Sequence, residues 1–466
     1  MPAPVKFNPQ IFREYDIRGD DRKELTAEVV EAIGKAYATH LKTKNPKAGF
    51  VVVGRDVRAS SVRIHKALVK GITACGIDVV DLGLSPTPMM YYSIIKLKSA
   101  GGINVTGSHN PLGMNGLKIN IGEKTIYGDE IQELRGIIEG GDYIETKKRG
   151  KIKKKNMVPV YINEIAGRVK LGRGLKVAVD AGNGMASEIA PKLLKKLGCE
   201  VVPLYCKLDG RFPNHLPDPT IPEYMRALAE KVKETKADVG LGFDGDVDRV
   251  GIIDENGKIV WADRLMMLFA KEILSRKRGE TIIFDVKCSQ ALPEVIEANG
   301  GVPLMWKTGH SLSKAKLRET GAPISGEMSG HIFFKDRWLG FDDGFYVAAR
   351  FLEILSASGK TVSEIFGQFP EYFSTPEIRV DYPEGKKFGL VERAKEEFGK
   401  DAELGVIDID GVRVLYPEGW ALLRASNTQA KLILRFEAKS EKALGEIKED
   451  FMKRLNAVSE ARLELP

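Results

Sequence analysis

The sequence predicts an α/β protein in which three similar domains with mixed α/β sheets precede a smaller C-terminal α+β domain. Three observations support this fold class. A strand–helix–strand pattern occurs three times, its starting points lie more than 100 residues apart, and the sequence changes character after about residue 371. The strands are short apolar runs rich in β-branched residues, which is typical of parallel or mixed sheets buried on both faces. A chain of 466 residues has room for roughly three or four such domains.

The three repeats share one order of elements: a strand, a helix and a second strand. They lie at residues 50–83, 175–205 and 280–306. Thr26 is the predicted N-cap of an additional helix over residues 26–41. From the repeats and the change near residue 371 we predict four domains, with bounds 1–154, 155–258, 259–370 and 371–466.

The C-terminal domain is predicted to combine hairpin-like strands with two helices. The strands are expected at residues 374–382, 402–416 and 420–436, and the helices at residues 387–398 and 440–456. This pattern differs from the three repeats and indicates a separate α+β unit.

Residues 146–155, TKKRGKIKKK, contain seven basic residues in ten. We predict a solvated connector between the first two domains. The alternative is an RNA-binding tail, but no aromatic residues are interleaved with the charges, so nucleic acid is not an expected partner.

The composition limits the function classes. The 71 basic and 64 acidic residues give a net charge of +7, which is too small by itself to indicate nucleic-acid binding but suits an anionic small-molecule substrate. The N-terminus lacks the apolar core of a secretory signal, and no apolar run approaches the roughly 18 residues of a membrane span. The four cysteines are widely spaced, which favours free thiols over disulfides or a zinc site. We therefore expect a cytoplasmic protein without a membrane partner.

Residues 105–120, VTGSHNPLGMNGLKIN, place a serine in a turn directly after a predicted strand. Gly, Asn and Pro around Ser108 favour a tight turn that exposes its hydroxyl. A hydroxyl nucleophile needs a neighbouring proton acceptor or cation, and His109 and Lys118 are candidates. Considered alone, the alternative is that Ser108 caps a helix and His109 fills a surface turn.

Residues 239–253, VGLGFDGDVDRVGII, place three aspartates between two apolar runs. Asp244, Asp246 and Asp248 alternate along the chain, so in an extended segment they share one face. Clustered carboxylates repel each other unless a cation joins them, and oxygen ligands favour Mg²⁺. Arg249 stands where an EF-hand loop requires glycine, which excludes that motif. A phosphatase with Asp244 as nucleophile and Asp246 as acid remains open, although it would leave Ser108 without a role.

Four motifs together resemble the signature loops of the α-D-phosphohexomutases, most closely the bacterial phosphomannomutase/phosphoglucomutase branch. They are TGSHNP at 106–111, DGDVDR at 244–249, GEMSGH at 326–331 and RASNT at 424–428. They follow the family's order, one in each predicted domain, so the resemblance covers essentially the whole chain. It implies the family fold, with the four domains around a central cleft.

The resemblance also implies roles for individual residues. Ser108 corresponds to the serine that carries the transferable phosphoryl group, and a phosphoserine oxygen joins the three aspartates as a metal ligand. Glu327 and Ser329 correspond to the residues that contact sugar hydroxyls. The residues corresponding to the clamp on the non-reacting phosphate are Arg424, Ser426, Asn427 and Thr428. The other positions of the active-site lining are Tyr15, Arg18, Lys118, Arg249, Lys287, Gly309, His310 and His331.

Charge neutralisation and proton transfer are expected from Arg18, Lys118 and Arg249, with Lys287 adding positive charge. The general base stays open among Lys118, His109 and His331. Gly107 occupies a position where the family more often has alanine, and we expect it to loosen the serine turn slightly.

The implied activity is interconversion of hexose 1-phosphates and hexose 6-phosphates of mannose and glucose, through a phosphoserine and a 1,6-bisphosphate intermediate. The expected cofactors are Mg²⁺ and, as activator, hexose 1,6-bisphosphate. Sugar phosphates are the expected partners, and the enzyme is expected to be a monomer. The alternative within the family is a phosphoglucosamine mutase. Met328 and the RASNT form of the last motif favour the mannose/glucose branch.

Overall fold

The computed structural model describes residues 5–401, 403–427 and 430–465. The chain forms two compact units. The first contains Met1–Ala262, Lys314–Ile324 and Ser329–Phe366, and the second contains Asp263–Ser313, Ser325–Met328 and Gly367–Pro466.

A seven-stranded mixed sheet opens the first unit, with strand order β1-β5-β4-β2-β3-β7 and β6 paired to β5. After a short 3-10 turn at Pro9–Ile11, its elements are β1 (Ile17–Asp20), α1 (Ala27–Lys44), β2 (Phe50–Arg55), α2 (Ala59–Ala74), β3 (Asp78–Leu84), α3 (Thr87–Leu97), β4 (Gly101–Val105), β5 (Met114–Ile121), β6 (Lys124–Thr125), α4 (Asp129–Gly140) and β7 (Ile152–Lys154). The predicted N-cap is present, because the Thr26 hydroxyl accepts a hydrogen bond from Val29 N (3.3 Å).

A five-stranded mixed sheet follows in the same unit, with strand order β12-β11-β10-β8-β9. Its region contains α5 (Val158–Arg168), β8 (Lys176–Asp180), α6 (Ala186–Lys196), β9 (Glu200–Leu204), α7 (Pro222–Thr235), β10 (Val239–Phe243), β11 (Val250–Ile253) and β12 (Ile259–Val260). Strand β10 is buried along its whole length and pairs in parallel with β8 and antiparallel with β11. The loop between β10 and β11 therefore connects two largely buried strands of this sheet.

The third repeat forms a parallel pair of strands, β13 and β14, in which Thr281 lies opposite Val302. The elements of this stretch are α8 (Ala262–Arg276), β13 (Thr281–Asp285), α9 (Ala291–Ala298), β14 (Val302–Trp306), α10 (His310–Thr320), β15 (Ile324–Gly326), β16 (Ile332–Phe334), α11 (Gly344–Ser358) and α12 (Val362–Phe366). All three predicted strand–helix–strand repeats are thus confirmed to within about two residues at each end.

The C-terminal residues form an antiparallel six-stranded sheet with two helices. The elements are β17 (Phe373–Ser374), β18 (Ile378–Asp381), α13 (Lys387–Gly399), β19 (Gly405–Ile407), β20 (Val412–Tyr416), β21 (Gly419–Ala425), β22 (Lys431–Ala438) and α14 (Glu441–Val458). Three similar α/β regions and a C-terminal α+β region confirm the predicted fold class. Among the described residues, no helix is both long and apolar enough to cross a membrane.

The basic segment 146–155 is not a connector along its whole length. Residues 152–154 form β7, which pairs in parallel with β3 at the edge of the first sheet. The side chains of β7 are exposed, so the predicted solvation is present, but the backbone is held by the sheet. Charge content predicts exposure of side chains and says little about pairing of an edge strand.

Asp343 caps helix α11 from a buried position. Its Oδ1 accepts hydrogen bonds from the backbone N–H groups of Phe345 and Tyr346 (both 3.1 Å), and its Oδ2 accepts one from the Tyr161 hydroxyl (2.6 Å). Burial nevertheless raises the pKa of Asp343 to about 7. Between about pH 4 and pH 7 the folded chain therefore holds a proton that the unfolded chain has released.

We predict that the contribution of Asp343 to the free energy of unfolding falls by roughly 1.4 kcal/mol per pH unit over this range. Asp343→Asn keeps an oxygen acceptor for the helix N-terminus and removes the ionisable group. Its Tm should equal that of the wild type near pH 4 and exceed it increasingly up to pH 7, as measured by scanning calorimetry.

Asp20→Asn is the control with the opposite sign. The backbone N–H groups of Lys23 and Arg22 lower the pKa of Asp20, so this variant should lose stability relative to wild type as the pH rises. A Tm difference between Asp343→Asn and wild type that stays constant with pH would contradict the prediction.

Candidate functional site

Ser108 lies in the turn between β4 and β5, in a backbone conformation that few non-glycine residues adopt. Its φ is 46°, and its side chain is buried. Two hydrogen bonds hold the turn: Ser108 N donates to Thr106 Oγ1 (2.8 Å), and Gly107 N donates to Asp56 Oδ2 (2.9 Å). This strained turn presents the hydroxyl at a fixed place, as a nucleophile requires.

Arg58 is the main support of the serine turn, and no motif in the sequence pointed to it. Its buried guanidinium donates to the carbonyl oxygens of Ser108 (3.0 Å), Asn110, Pro111 (3.0 Å) and Met114 (3.2 Å). A Cβ on residue 107 would lie only 2.5 Å from Arg58 Nε. Glycine at position 107 therefore has a packing role here, because it lets the guanidinium approach the turn.

The three aspartates lie in the loop between β10 and β11 and form one buried cluster. Each offers a carboxylate oxygen, and these oxygens all lie within 4.8 Å of one another. Burial and the charges of Asp248 and Asp246 raise the pKa of Asp244 well above its ordinary value. Asp246 Oδ1 and Asp248 Oδ1 are buried and have no hydrogen-bond partner among the described residues. Both observations fit a divalent cation bound by this cluster, since buried carboxylate oxygens without a hydrogen-bond partner are costly and a hard cation prefers oxygen ligands.

The Ser108 hydroxyl belongs to the same cluster, because Ser108 Oγ donates to Asp244 Oδ2 at 2.8 Å. The loop is also held from the first sheet, where Thr87 Oγ1 donates to Asp246 Oδ2 (2.5 Å) and accepts from Asn104 Nδ2 (2.9 Å). Ser108 and the three carboxylates, which are far apart in sequence, are therefore adjacent in the first unit.

Two buried cations lie against the aspartates. Lys118 Nζ donates to Asp246 Oδ2 (2.8 Å) and also contacts Asp248 Oδ2. Burial alone would lower the pKa of Lys118, but the carboxylates of Asp246 and Asp248 raise it well above its ordinary value. Arg249 Nη2 lies 3.3 Å from Asp244 Oδ2, and its Nη1 lies 3.5 Å from Asp218 Oδ1. Both side chains are therefore positively charged at neutral pH.

His109 is held in its neutral form. Burial, reinforced by the charges of Arg249 and Arg18, lowers the pKa of His109 well below its ordinary value. Its Nδ1 lies 3.0 Å from Ser108 Oγ and accepts a hydrogen bond from Arg249 Nη2. Because a guanidinium can only donate, Nδ1 is the acceptor and the ring proton lies on Nε2.

The N-terminal candidates also lie near the serine turn. Strand β1 pairs antiparallel with β5, which places Arg18 opposite Gly116. Arg18 Nε donates to Asp16 Oδ2 (2.6 Å), and its Nη1 donates to Asn110 Oδ1 (3.4 Å). Tyr15, three residues earlier, is buried. Arg18 thus adds a third positive charge at this end of the first unit.

His331 joins the first-unit residues through its backbone, which forms an antiparallel bridge with Arg249. Its Nδ1 lies 3.1 Å from Asp342 Oδ2 and 3.8 Å from Asp248 Oδ1. Ser329, two residues earlier, is half-buried. The structure therefore brings together Ser108, His109, Lys118, Arg18, Arg249, His331 and the three aspartates.

The second unit contains another set of candidates. Glu327 is buried, and its Oε1 accepts from Gly309 N (3.2 Å) and Ser313 Oγ (3.0 Å), which links it to the start of α10, where His310 is the first residue. Lys287 Nζ donates to Glu377 Oε2 at 2.9 Å. Burial alone would lower the pKa of Lys287, but Glu377 and Asp285 raise it.

The arginine of the last motif is oriented by an acid that sequence reasoning did not select. Arg424 Nε and Thr308 N both donate to Asp410 Oδ2, at 2.6 and 2.9 Å. Ser426 O accepts a hydrogen bond from the buried Lys387 (2.6 Å), and Asn427 follows it. Thr428 lies outside the described residues.

Residues missed by the sequence analysis share one property: each supports a predicted residue from outside the motif that contains that residue. They are Arg58, Thr87, Asp342, Glu377 and Asp410. None lies in a recognisable motif, so only the folded chain identifies them.

Comparison with known proteins gives matches along nearly the whole chain. Four domain families match in order: phosphoglucomutase/phosphomannomutase alpha/beta/alpha domains I (residues 9–145), II (159–257) and III (261–373), and the C-terminal domain (377–454). The phosphomannomutase/phosphoglucomutase of Pseudomonas aeruginosa is 48% identical over 451 residues, covering 96% of each chain. A phosphoglucomutase of Neisseria gonorrhoeae is 44% identical over 444 residues, covering 95% of each.

Solved structures agree with these matches. A phosphoglucomutase/phosphomannomutase family protein from Burkholderia thailandensis superposes with a TM-score of 0.92 at 44% identity, covering 99% of this chain and 100% of its own. An N-acetylphosphoglucosamine mutase from Aspergillus fumigatus has a TM-score of 0.63 at 15% identity, with 98% and 96% coverage, and so shares the fold. The family predicted from the four motifs is confirmed. With all four domain families matched in order and relatives at nearly half identity, the chain belongs to the phosphoglucomutase/phosphomannomutase family.

Proposed function

We propose that this chain is a phosphohexomutase that interconverts the 1-phosphates and 6-phosphates of mannose and glucose, with Ser108 as the phosphoryl carrier. The observation that carries the proposal is the Ser108 hydroxyl, held in a strained turn and hydrogen-bonded at 2.8 Å to one of three clustered carboxylates. The choice of sugars follows the names of relatives at 48% and 44% identity.

The reaction consists of two phosphoryl transfers. In the first, the bond between phosphorus and Ser108 Oγ breaks while a bond to O6 of a hexose 1-phosphate forms, and the O6 proton passes to a base. The product is a hexose 1,6-bisphosphate. In the second, Ser108 Oγ takes the phosphoryl group from O1, which regains a proton and leaves the hexose 6-phosphate. Such transfers depend mainly on positioning and charge neutralisation.

Charge neutralisation is the task of the buried cations in the first unit. A phosphoserine carries about −1.5 to −2 charges and would repel an incoming sugar phosphate. Lys118, Arg249 and Arg18 face this charge. Because Lys118 Nζ lies against the carboxylates of Asp246 and Asp248, we assign Lys118 to charge stabilisation. Because His109 Nδ1 accepts from Arg249 while the Ser108 hydroxyl donates to Asp244, we assign His109 to holding the Arg249 guanidinium beside the serine turn.

Asp244, Asp246 and Asp248 are the proposed Mg²⁺ ligands. Two of their buried oxygens lack hydrogen-bond partners among the described residues, and all-oxygen donors suit a hard cation. When bound, Mg²⁺ would neutralise the phosphoryl oxygens and favour departure of the serine oxygen. We further propose that hexose 1,6-bisphosphate activates the enzyme by phosphorylating Ser108, and that the protein works as a monomer in the cytoplasm.

From the family resemblance we propose substrate-binding roles for residues of the second unit and, separately, for Tyr15, Ser329 and His331 of the first unit. Glu327 and Ser329 would contact sugar hydroxyls, and Lys287, Gly309 and His310 would line the sugar site. Arg424, with its Nε edge held by Asp410, suits bidentate recognition of the non-reacting phosphate. Ser426, Asn427 and Thr428 would complete this phosphate clamp.

We predict that Ser108→Ala abolishes mutase turnover. Without Oγ no phosphoenzyme can form, so kcat/KM should fall by at least about a factor of 10⁴ for mannose and glucose 1-phosphates. The assay uses Mg²⁺ and a trace of the matching bisphosphate, with phosphoenzyme measured by intact-protein mass spectrometry.

Three outcomes would redirect the assignment. A Ser108→Ala variant that stays active and can still be phosphorylated would refute Ser108 as carrier. Dominant turnover of glucosamine 1-phosphate by the wild type would indicate a phosphoglucosamine mutase. Release of inorganic phosphate without isomer, lost in Asp244→Asn, would indicate the aspartyl-phosphate phosphatase.

The metal assignment predicts a selective loss of cation affinity. Asp246→Asn removes one anionic ligand and should weaken Mn²⁺ binding by at least about tenfold, because a hard cation depends on ligand charge. Electron paramagnetic resonance of free Mn²⁺ measures this without turnover. Asp254→Asn is the matched control: Asp254 is also buried near β11, but it caps a turn through Asn256 N and Lys258 N. Equal affinities in both variants would argue against the site.

The contact between Gly107 and Arg58 predicts that the family's more common alanine is harmful in this chain. Gly107→Ala places a Cβ 2.5 Å from Arg58 Nε and should displace the guanidinium from its four carbonyl acceptors. We expect kcat to fall by at least about tenfold, since 1.4 kcal/mol in the barrier has that effect. Gly136→Ala, at an open position in α4, is the control. Wild-type kcat in Gly107→Ala would show that Arg58 does not hold the turn.

A further inference from the structure

Next to His331, the first unit contains a chain of buried polar groups. It consists of Tyr91, Lys314 and Asp342, none of which the sequence analysis selected. Asp342 and Lys314 are 0% and 2% exposed. Charged groups buried this completely need specific partners, so their arrangement is informative.

Lys314 fixes one half of the Asp342 carboxylate. Its Nζ donates to Asp342 Oδ1 (3.1 Å) and to the Tyr91 hydroxyl (3.0 Å), and it lies 4.1 Å from the centroid of the Tyr91 ring. Because an ammonium group can only donate, Oδ1 of residue 342 must act as an acceptor.

The other half of the carboxylate faces His331. Asp342 Oδ2 lies 3.1 Å from His331 Nδ1, whereas the nearest oxygen of Asp248 lies 3.8 Å away, beyond hydrogen-bond distance. A carboxylate accepts only, so Nδ1 carries a hydrogen and the lone pair of the neutral ring lies on Nε2. The contact also keeps the Nδ1 hydrogen directed at Asp342, away from the proposed metal ligand Asp248.

We propose that Asp342, backed by Lys314, is a positioning residue that fixes the ring orientation and the Nδ1–H tautomer of His331. The Nε2 atom is then the nitrogen able to exchange a proton with the reacting sugar hydroxyl. This inference rests on the proposed function, in which His331 belongs to the active-site lining. Carboxylate–histidine pairs set the tautomer in the same way in other catalytic and metal sites.

The variant Asp342→Asn tests whether Asp342 fixes the His331 tautomer. Lys314 still requires an acceptor, so the amide oxygen of Asn should face Lys314 and its NH₂ group should face His331. His331 Nδ1 must then accept, and the ring proton moves to Nε2. We expect kcat to fall by about 10² to 10⁴, the usual contribution of a positioned acid or base, while KM changes by less than about threefold.

The tautomer can be observed directly. Two-dimensional ¹⁵N–¹H spectra of histidine-labelled protein at pH 8 distinguish Nδ1–H from Nε2–H rings. The chain has six histidines, and His331→Gln assigns the signal. We expect Nδ1–H in the wild type and Nε2–H in Asp342→Asn. These spectra do not depend on turnover, so a wild type without mutase activity would refute the proposed function and leave the tautomer result intact.

Two further variants separate positioning from stability. In the double variant Lys314→Met/Asp342→Asn, the amide is released from Lys314 and can turn its oxygen to Nδ1–H, so kcat should recover at least about tenfold over Asp342→Asn. Asp336→Asn disturbs another buried pair of this unit, Arg350 Nη1 with Asp336 Oδ2 at 3.4 Å. It should lower Tm without changing kcat or the His331 spectrum.

A wild-type ring with its proton on Nε2, or an Asp342→Asn variant with kcat within about twofold of wild type, overturns the proposal. If kcat of the double variant does not exceed that of Asp342→Asn, Lys314 does not orient the side chain at position 342.

Discussion

The repulsion among three buried carboxylates is the constraint on which the candidate site depends. Asp244, Asp246 and Asp248 share one loop between two largely buried strands and are themselves at most 1% exposed, so water screens their charges poorly. Neighbouring residues offset this repulsion. Lys118 and Arg249 lie directly against the cluster, and the Ser108 hydroxyl donates a hydrogen bond to Asp244. A site that concentrates negative charge in this way is suited to hold a cation and, with it, a phosphoryl group.

Several positively charged side chains among the candidate residues are in turn held by acidic side chains. Arg18 lies on Asp16, Lys287 on Glu377 and Arg424 on Asp410. A long cationic side chain loses rotamer freedom when it is fixed, and an acidic partner makes that fixed position the stable one in advance. Phosphoryl transfer gains from such preorganisation, because the transition state differs from the bound reactants mainly in the distribution of charge.

Much of the fold could be predicted because its signals are local. Short runs rich in β-branched residues identified β2, β8 and β13. The spacing of Asp244, Asp246 and Asp248 predicted that their carboxylates converge, and they do so in a turn and not in the extended segment that was expected. The supporting residues could not be found in this way. Arg58 lies fifty residues before Ser108, and Asp410 lies fourteen before Arg424. Their roles depend on backbone carbonyls and on strand neighbours that only tertiary packing defines. For the same reason β7 was missed, since pairing at a sheet edge leaves its charged side chains exposed.

The supporting groups also explain why this site needs residues that perform no chemistry. Ser108 and Val247 both have positive φ values, 46° and 66°, so the two central loops are strained on their own. Arg58 holds the first loop through four carbonyls, and Gly344 N holds the second by donating to Val247 O at 2.9 Å. Gly344 opens α11, the helix capped by Asp343, and Asp342 precedes it. One short segment therefore anchors the loop of the three aspartates, caps a helix and contacts His331. The packing of the first unit and the geometry of its candidate site thus depend on the same residues.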